Sequence, residues 1–519
     1  MKKNKGNGEN ITAGQKAESA RRRTEGNYNR VVKYLGIFGG AQGVSVLLSM
    51  VRNKVASVLL GTAGFGLIAL YNRTVQLFCD FTGLSLSLSA VRRMSDAYSN
   101  EDDATVRHCV KVVRSIALLT GLAGMLLMLL FSPLVAQLTF DGESRYVLRL
   151  ALLSPVVLFV AVSGGELAIL RGVKQPGRIA LYTLWTAFSA LFATVPLYLA
   201  VGSRGILPAV FLVGLLQMAG ALFFSTRLYP YRANLFSLSL LREGVDIIKL
   251  GAGYIYASML VSGAVWIIYQ AIKIYGGEDA VGLFSAGYIF VGLLPSVLFA
   301  AFDSDYYPRL SGIFARKEER NAMVNEHIEV HLLVQVPVIL GVVVLLPWLF
   351  PLLFAQEFMP ALQMAQLALL ALLFHIMTYP ISFMPVSKGD TLTFALQETA
   401  YNVSFVLCTV FGYRYYGWLG AGAGMMVARI ADLAVVYSIA RFRYGFHLTG
   451  KAVKGFALAL VAGAVVLLSS ACSATVPALR YLGPAVVVVA VGVACYGLSR
   501  NGNLFATVFR KLFRRWKNI

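Results

Sequence analysis

Seven ionisable side chains stand inside otherwise apolar stretches of this 519-residue chain: Arg73, Asp80, Glu166, His375, Glu398, Arg429 and Asp432. A charge at the centre of a bilayer costs about 2.5–3.5 kcal/mol on insertion scales, so each is expected to face a cavity or a partner. Arg73 and Asp80 are seven residues apart, about two helical turns, and share a face. A guanidinium there offers a planar fork suited to a diphosphate or an acidic sugar; the alternative is an interhelical salt bridge that only fixes packing. Arg429 and Asp432, three apart, can pair with each other. Glu166 and Glu398 could carry a coupling proton or cation, or could neutralise Arg73 or Arg429. The candidates for substrate binding are therefore Arg73, Asp80 and Arg429, and those for coupling are Glu166, Glu398 and Asp432. His375, alone among apolar residues, reads as a core side chain. Asp303 and Asp305 fall at the end of an apolar stretch.

Other chemistry finds little support. His327 and His331 lie four apart on one helical face, but the segment is not His-Glu-x-x-His and leaves a charged loop. The five cysteines are scattered without Cys-x-x-Cys spacing, so neither a zinc site nor a disulfide framework is expected. No Gly-rich phosphate loop, Gly-x-Ser-x-Gly or clustered acidic motif with a catalytic loop is present. The chain is expected to be no enzyme and to carry no metal or cofactor.

The elements that hold these residues are long and apolar. Hydrophobic residues make up 58% of the chain and charged residues 14%, where a soluble domain carries about a quarter charged. The apolar residues come in continuous blocks of about 20, long enough to cross a hydrocarbon core as helices. Fourteen spans are expected, at 31–51, 65–91, 112–138, 146–170, 179–201 and 205–226; at 246–272, 280–302, 328–354, 360–386, 391–413 and 417–440; and at 453–473 and 478–498. The formal net charge of +21 raises the question of nucleic acid, but position answers it. With the N-terminus inside, about 32 of the Lys and Arg fall in cytosolic segments and about 6 in outer loops, the positive-inside pattern. Both termini are then cytosolic, and no nucleic-acid partner is expected. No signal peptide is expected at the polar, basic start. Residues 1–30 read as a disordered basic tail. Residues 503–519 place Phe505, Phe509, Leu512 and Trp516 opposite Arg510, Lys511, Arg514 and Arg515, an amphipathic helix for an anionic leaflet.

The chain also repeats itself. Gly61, Gly66-Leu67 and Tyr71 return as Gly276-Gly277, Gly282-Leu283 and Tyr288, roughly 216 residues on. Further matches are Ser132-Pro133-Leu134 with Phe350-Pro351-Leu352, Arg171-Gly172 with Lys388-Gly389, and Arg227 with Arg441. Six spans per copy is an even number, so the copies share one orientation and are related by an axis along the membrane normal. The expected fold is an all-α integral membrane protein with two parallel-repeat six-helix lobes. The N-lobe covers 31–226 and the C-lobe 246–440, joined by a linker at 227–245, with two further helices at 453–498. Small faces such as Gly36, Gly39-Gly40 and Gly43 allow close helix approach, and Pro155, Pro295, Pro337, Pro380 and Pro385 permit bends.

Lys54 with Leu60-Gly61, followed by Gly64-x-Gly66-Leu67, resembles the first-loop signature of polysaccharide flippases. These are the Wzx-type O-antigen and repeat-unit translocases of the MOP superfamily, which also holds the MATE transporters. Gly417-Trp418-Leu419-Gly420-Ala421, running on to Tyr437 and Arg441, is similar to that family too. The resemblance, over roughly 31–445, implies a MATE-like pair of lobes around a V-shaped cavity working by alternating access. It implies an undecaprenyl-diphosphate-linked oligosaccharide as substrate, flipped across the bacterial cytoplasmic membrane for O-antigen, capsule or exopolysaccharide synthesis. Cationic and acidic cavity residues in the family direct attention to Arg73, Glu166 and Glu398. The two extra spans resemble those of fourteen-helix members, lipid II flippases among them. The rivals are a MATE-like multidrug or cation antiporter, a lipid II flippase, and a membrane scaffold for a glycan polymerase. Membrane lipids and a polymerase complex are the further partners this implies, and two lobes suffice for a monomer to work.

Overall fold

The computed structural model describes the backbone of residues 6–82, 86–100, 102–140, 142–234, 243, 252–472, 479 and 481–500, and side chains over most of these from residue 39 onward. The basic helix expected at 503–519 and most of the linker beyond 234 lie outside the described residues, as do the side chains of Asp303 and Asp305.

All regular structure among the described residues is helical. The first half holds α1 (Gly6–Thr82), α2 (Leu86–Ser99), α3 (Asp103–Phe140), α4 (Ser144–Gly172), α5 (Pro176–Val201) and α6 (Ile206–Thr226). The second holds α7 (Ala252–Leu298), α8 (Ala300–Ile313), α9 (Lys317–Leu353), α10 (Leu362–Leu370), α11 (Leu372–Lys388) and α12 (Thr391–Tyr444). Then come α13 (Gly450–Cys472) and α14 (Leu482–Arg500), which pack on α9. Among the described residues, nine helical stretches are long and apolar enough to cross a membrane. Four of them run 41 to 54 residues, about twice what one crossing needs.

Each of those four doubles back at a glycine with φ between 57° and 75°: Gly61, Gly202, Gly277 and Gly417. That left-handed backbone strains any L side chain, and glycine adopts it freely. The arms meet closely. The Tyr269 and Phe284 rings lie 5.2 Å apart across the Gly277 turn, and Trp185 Nε1 donates to Leu216 O at 2.8 Å across Gly202. Around Gly417, a Cβ on Gly424 would sit 2.1 Å from Cys408 O, so the arms of α12 touch backbone to backbone. The arms before and after each turn are called a and b below.

The internal repeat is visible element by element. Gly61 and Gly277 share nearly the same dihedrals (φ 65°, ψ −167° against φ 75°, ψ −172°). So do Gly202 and Gly417 (ψ −133° and −140°). The 14-residue helices α2 and α8 are counterparts. The register differs locally from the sequence matching. The positive-φ residue after α4 is Lys174, φ 53°, and its counterpart is Gly389, φ 77°, so Arg171-Gly172 is displaced from the true partner of Lys388-Gly389. Helix starts pair Pro133 with Pro347 rather than Pro351, and both lie within helices instead of after them.

Two boundaries also differ. The tail expected to be disordered is helical from Gly6 onward; Gln15 to Glu25 is rich in Ala, Lys, Glu and Arg, all strong helix formers. The first apolar arm continues past 51 to Gly61, so Arg52 and Lys54 stand on a helix instead of in a loop.

Candidate functional site

The lobes meet chiefly through α1 against α7. Where the b arms begin they cross with almost no separation. A Cβ on Gly66 would lie 2.1 Å from Glu278 O, and one on Gly282 2.0 Å from Thr62 O, a near-symmetric contact about the repeat axis. Thr62 donates to Asp279 at the same level. Lys54 Nζ reaches Pro351 O and Phe354 O, each at 2.7 Å, covering the unsatisfied carbonyls at the end of α9. The Ala355 N–H donates to Ser57 Oγ at 2.9 Å. Phe65 packs edge-on to Phe354 and Phe358, Tyr146 OH approaches Glu278 Oε1 at 3.5 Å, and Lys273 donates to Thr139 O. The end of the molecule carrying Gly61 and Gly277 is thus sealed between the lobes.

Behind that seal lies a cavity of about 450 Å³. Its polar lining includes Arg52, Asn53, Asn72, Arg73, Gln76 and Gln217, with Ser285 and Ile289 from α7b opposite. None of the described lining residues is acidic. Arg73, Gln76 and Ile289 also line a second space of about 430 Å³ against Ser262 and Tyr288, so the two adjoin. Counted along the helices from Gly61 at 1.5 Å per residue, Arg52 stands about 14 Å and Arg73 about 18 Å deep, near the middle of a core of roughly 30 Å.

Arg73 is half-buried, its guanidinium 5.2 Å from the Tyr269 ring and 5.6 Å from the Tyr288 ring. No carboxylate pairs with Arg73 or Arg52 among the described residues. Asp80 shares Arg73's face as expected, yet bonds elsewhere: it accepts from Gln76 Nε2 at 2.9 Å and from Ser262 on α7a. Arg73 over Tyr269 and Asp80 on Ser262 close the seam between α1b and α7a, which run antiparallel.

Arg429, Asp432, Glu398 and His375 come together in the second half. Arg429 Nη1 bonds Asp432 Oδ2 at 3.3 Å and His375 Nδ1 at 3.2 Å, with its guanidinium 4.0 Å above Tyr401. The Glu398 carboxylate lies beside this group and has no hydrogen bond or ion pair among the described residues. His375, expected as an isolated core residue, is instead part of the cluster. Its ring lies 4.9 Å from that of Phe299, tilted 60° to it, and Phe299 also touches His331 and Tyr379.

Glu166 belongs to neither place. It is 1% exposed and makes a two-point ion pair with Arg114, at 2.8 and 3.0 Å. Neither Arg73 nor Arg429 is its partner, because Arg114 on the adjoining α3 reaches it first. Arg114 also donates to Ser225 Oγ, Tyr229 O and Pro230 O, so all five of its N–H groups are used.

Arg52, the amide residues and Arg114 were not singled out from sequence. Arg52 sits in a polar run that reads as a loop, and Asn and Gln leave no charge to mark them. Among the described residues, no group of three or more His, Cys, Asp or Glu is placed to hold a metal.

The comparisons agree with this architecture. A family model described as "Polysaccharide biosynthesis protein" matches residues 31–314. The structure of the lipid II flippase MurJ in an inward closed conformation is similar at a TM-score of 0.65 and 14% identity, over 89% of this chain and 99% of that one. An inward-facing multidrug resistance MATE transporter of the MOP superfamily gives 0.60 and 14%, over 77% and 94%. A MOP superfamily transporter from Pyrococcus furiosus gives 0.56 and 15%, over 79% and 94%. No curated protein matches the chain.

Proposed function

Since this chain belongs to the polysaccharide biosynthesis protein family, we propose that it is a flippase for an undecaprenyl-diphosphate-linked oligosaccharide. The cavity carries the reading: two arginines at mid-depth, no acid beside them, and amides around them. Guanidinium groups bind diphosphate oxygens by paired, charge-assisted hydrogen bonds. Asn53, Asn72, Gln76 and Gln217 offer the mixed donors and acceptors that sugar hydroxyls need. The isoprenoid tail stays in lipid while the headgroup crosses.

Counting each hairpin arm as one crossing gives thirteen, and taking the shorter apolar helix α14 as one more gives fourteen, with both termini cytosolic. The positive-inside distribution then puts the sealed Gly61 and Gly277 end on the outer face of a bacterial cytoplasmic membrane. Substrate enters the cavity from the cytosolic leaflet. Release requires the lobes to part at this end, breaking the Lys54, Ser57 and Thr62 contacts and opening the Gly66–Gly282 crossing. The membrane potential favours outward movement of a diphosphate, by about 2.3 kcal/mol per charge per 100 mV. Glu398 and Asp432 are placed to bind a coupling proton or cation, with Arg429 as the cation that competes for them.

That acidic cluster also supports the rival reading, a cation antiporter. The arginine-lined cavity weighs against it, because a cationic drug there meets like charge.

The test is leaflet accessibility of the lipid-linked repeat unit in cells depleted of this protein. Accumulation on the cytosolic leaflet, relieved by wild type but not by Arg73→Ala or Arg52→Ala of equal abundance, supports flipping through this cavity. Normal outer-leaflet appearance without the protein sinks the flippase reading and brings the antiporter forward.

A further inference from the structure

A third space, sharing no lining residue with the other two, lies between the first turns of α3 and the segment that follows α6. It has a volume of about 240 Å³ and is lined by Arg107, His108, Lys111, Arg114, Tyr229 and Arg232, among others. Arg107 and Lys111 are one turn apart on the same face of α3.

Among the described residues, the cations here outnumber the acids that face them. Asp103 is taken by Arg107 at 2.7 Å, Glu243 by His108 at 2.7 Å, and Glu166 by Arg114. Arg114 has no donor left, so it serves as the floor and fastens the Tyr229–Pro230 backbone over the pocket. The side chains of Lys111 and Arg232 make no hydrogen bond or ion pair among the described residues. Two cations that no described acid neutralises thus converge on a small concave space, with Arg107 and His108 beside them. The outward-facing Leu119, Leu126 and Leu130 begin two turns further along α3, so the pocket lies just beyond that exposed apolar stretch, the level at which lipid phosphates flank a bilayer core.

We propose that this pocket binds a phosphate group, with Lys111 and Arg232 as its principal ligands. The chemistry fits the headgroup of an anionic phospholipid and equally a free phosphate. Bound there, the anion would tie α3 to the chain leaving the first lobe. The proposal stands apart from the transport reading.

The test uses the full chain in nonionic detergent and follows its thermal unfolding midpoint. The probes are dihexanoyl phosphatidylglycerol, dihexanoyl phosphatidylcholine and inorganic phosphate. Stabilisation by phosphatidylglycerol and not by phosphatidylcholine or inorganic phosphate is expected if the ligand is a lipid headgroup. Equal stabilisation by inorganic phosphate assigns a soluble source. In either case Lys111→Gln and Arg232→Gln should each weaken the effect about fivefold. Arg227→Gln, at the same end but outside the pocket, should leave it unchanged. Identical titrations for wild type and the Lys111→Gln/Arg232→Gln double variant, or no response to either anionic probe, overturn the proposal.

Discussion

Gly66 and Gly282 occupy equivalent positions in the two halves and touch each other's helix backbone, with room for no Cβ on either. This contact brings the lobes backbone to backbone, so a side chain on either glycine has to push them apart.

Gly66→Val or Gly282→Val should separate α1b from α7b. Overpacking costs about 1–3 kcal/mol, so a thermal unfolding midpoint lowered by several degrees is expected for the purified protein, with transport lost in cells. Gly164→Val is the control, since a Cβ there meets nothing within 4 Å. Equal tolerance at all three sites means that the lobes do not depend on this close crossing.

Lys54→Ala removes the cation that holds Pro351 O and Phe354 O across the sealed end. A charged hydrogen bond contributes about 1.5–3 kcal/mol, so the opened state should gain at least about tenfold in population. Spin labels on either side of that end would report a longer distance by pulsed electron resonance. An unchanged distance distribution means that the seal does not depend on this lysine.

Glu166 and Arg114 form a buried pair, and Glu398 lacks one, so their variants should part company. Glu166→Ala strands a buried guanidinium, which typically costs about 3–5 kcal/mol; loss of folded protein in detergent is expected. The double variant Glu166→Leu/Arg114→Met should recover much of that loss. Glu398→Gln should fold normally and alter transport only. A well-folded but inactive Glu166→Ala would restore Glu166 to the coupling candidates.

Asp390 caps α12a by accepting from Thr393 N at 3.2 Å, and binds Tyr444 OH at 2.9 Å and Arg443 Nε at 2.8 Å at the far end of the same hairpin. Partial desolvation pushes its carboxyl up, but the bonds from Tyr444, Thr393 and Arg443 prevail and hold its pKa at about 2. A depressed carboxylate contributes stability that is present above the unfolded pKa, near 3.9, and lost as pH falls toward 2. Unfolding midpoints measured from pH 6 downward should drop below about pH 4, and the drop should be shallower in Asp390→Asn. Parallel curves would exclude this group as a source of acid sensitivity.

Much of this molecule was determined locally. Runs of about 20 apolar residues must satisfy their own backbone hydrogen bonds in lipid, so helices followed from composition alone. The duplication followed from glycines, because a left-handed turn and a zero-distance crossing each admit little else, and Gly61, Gly66, Gly277 and Gly282 were readable as such. Arg429 with Asp432 was readable too, since three-residue spacing on a helix brings side chains together by geometry. What the sequence left open is everything that depends on which helices become neighbours. Glu166 could have met Arg73 or Arg429 by its sequence alone, and only the packing of α3 on α4 gave it Arg114 instead. Arg52 looked like a loop cation until α1a proved to run on to Gly61 and turn it into the cavity. Asp80 shares a face with Arg73 yet bonds Gln76 on its own helix and Ser262 on α7a, which only the packing of α7a against α1b brings within reach. Ion pairs and cavity walls join residues tens to hundreds of positions apart, and periodicity along one helix carries no record of the helix that will lie against it.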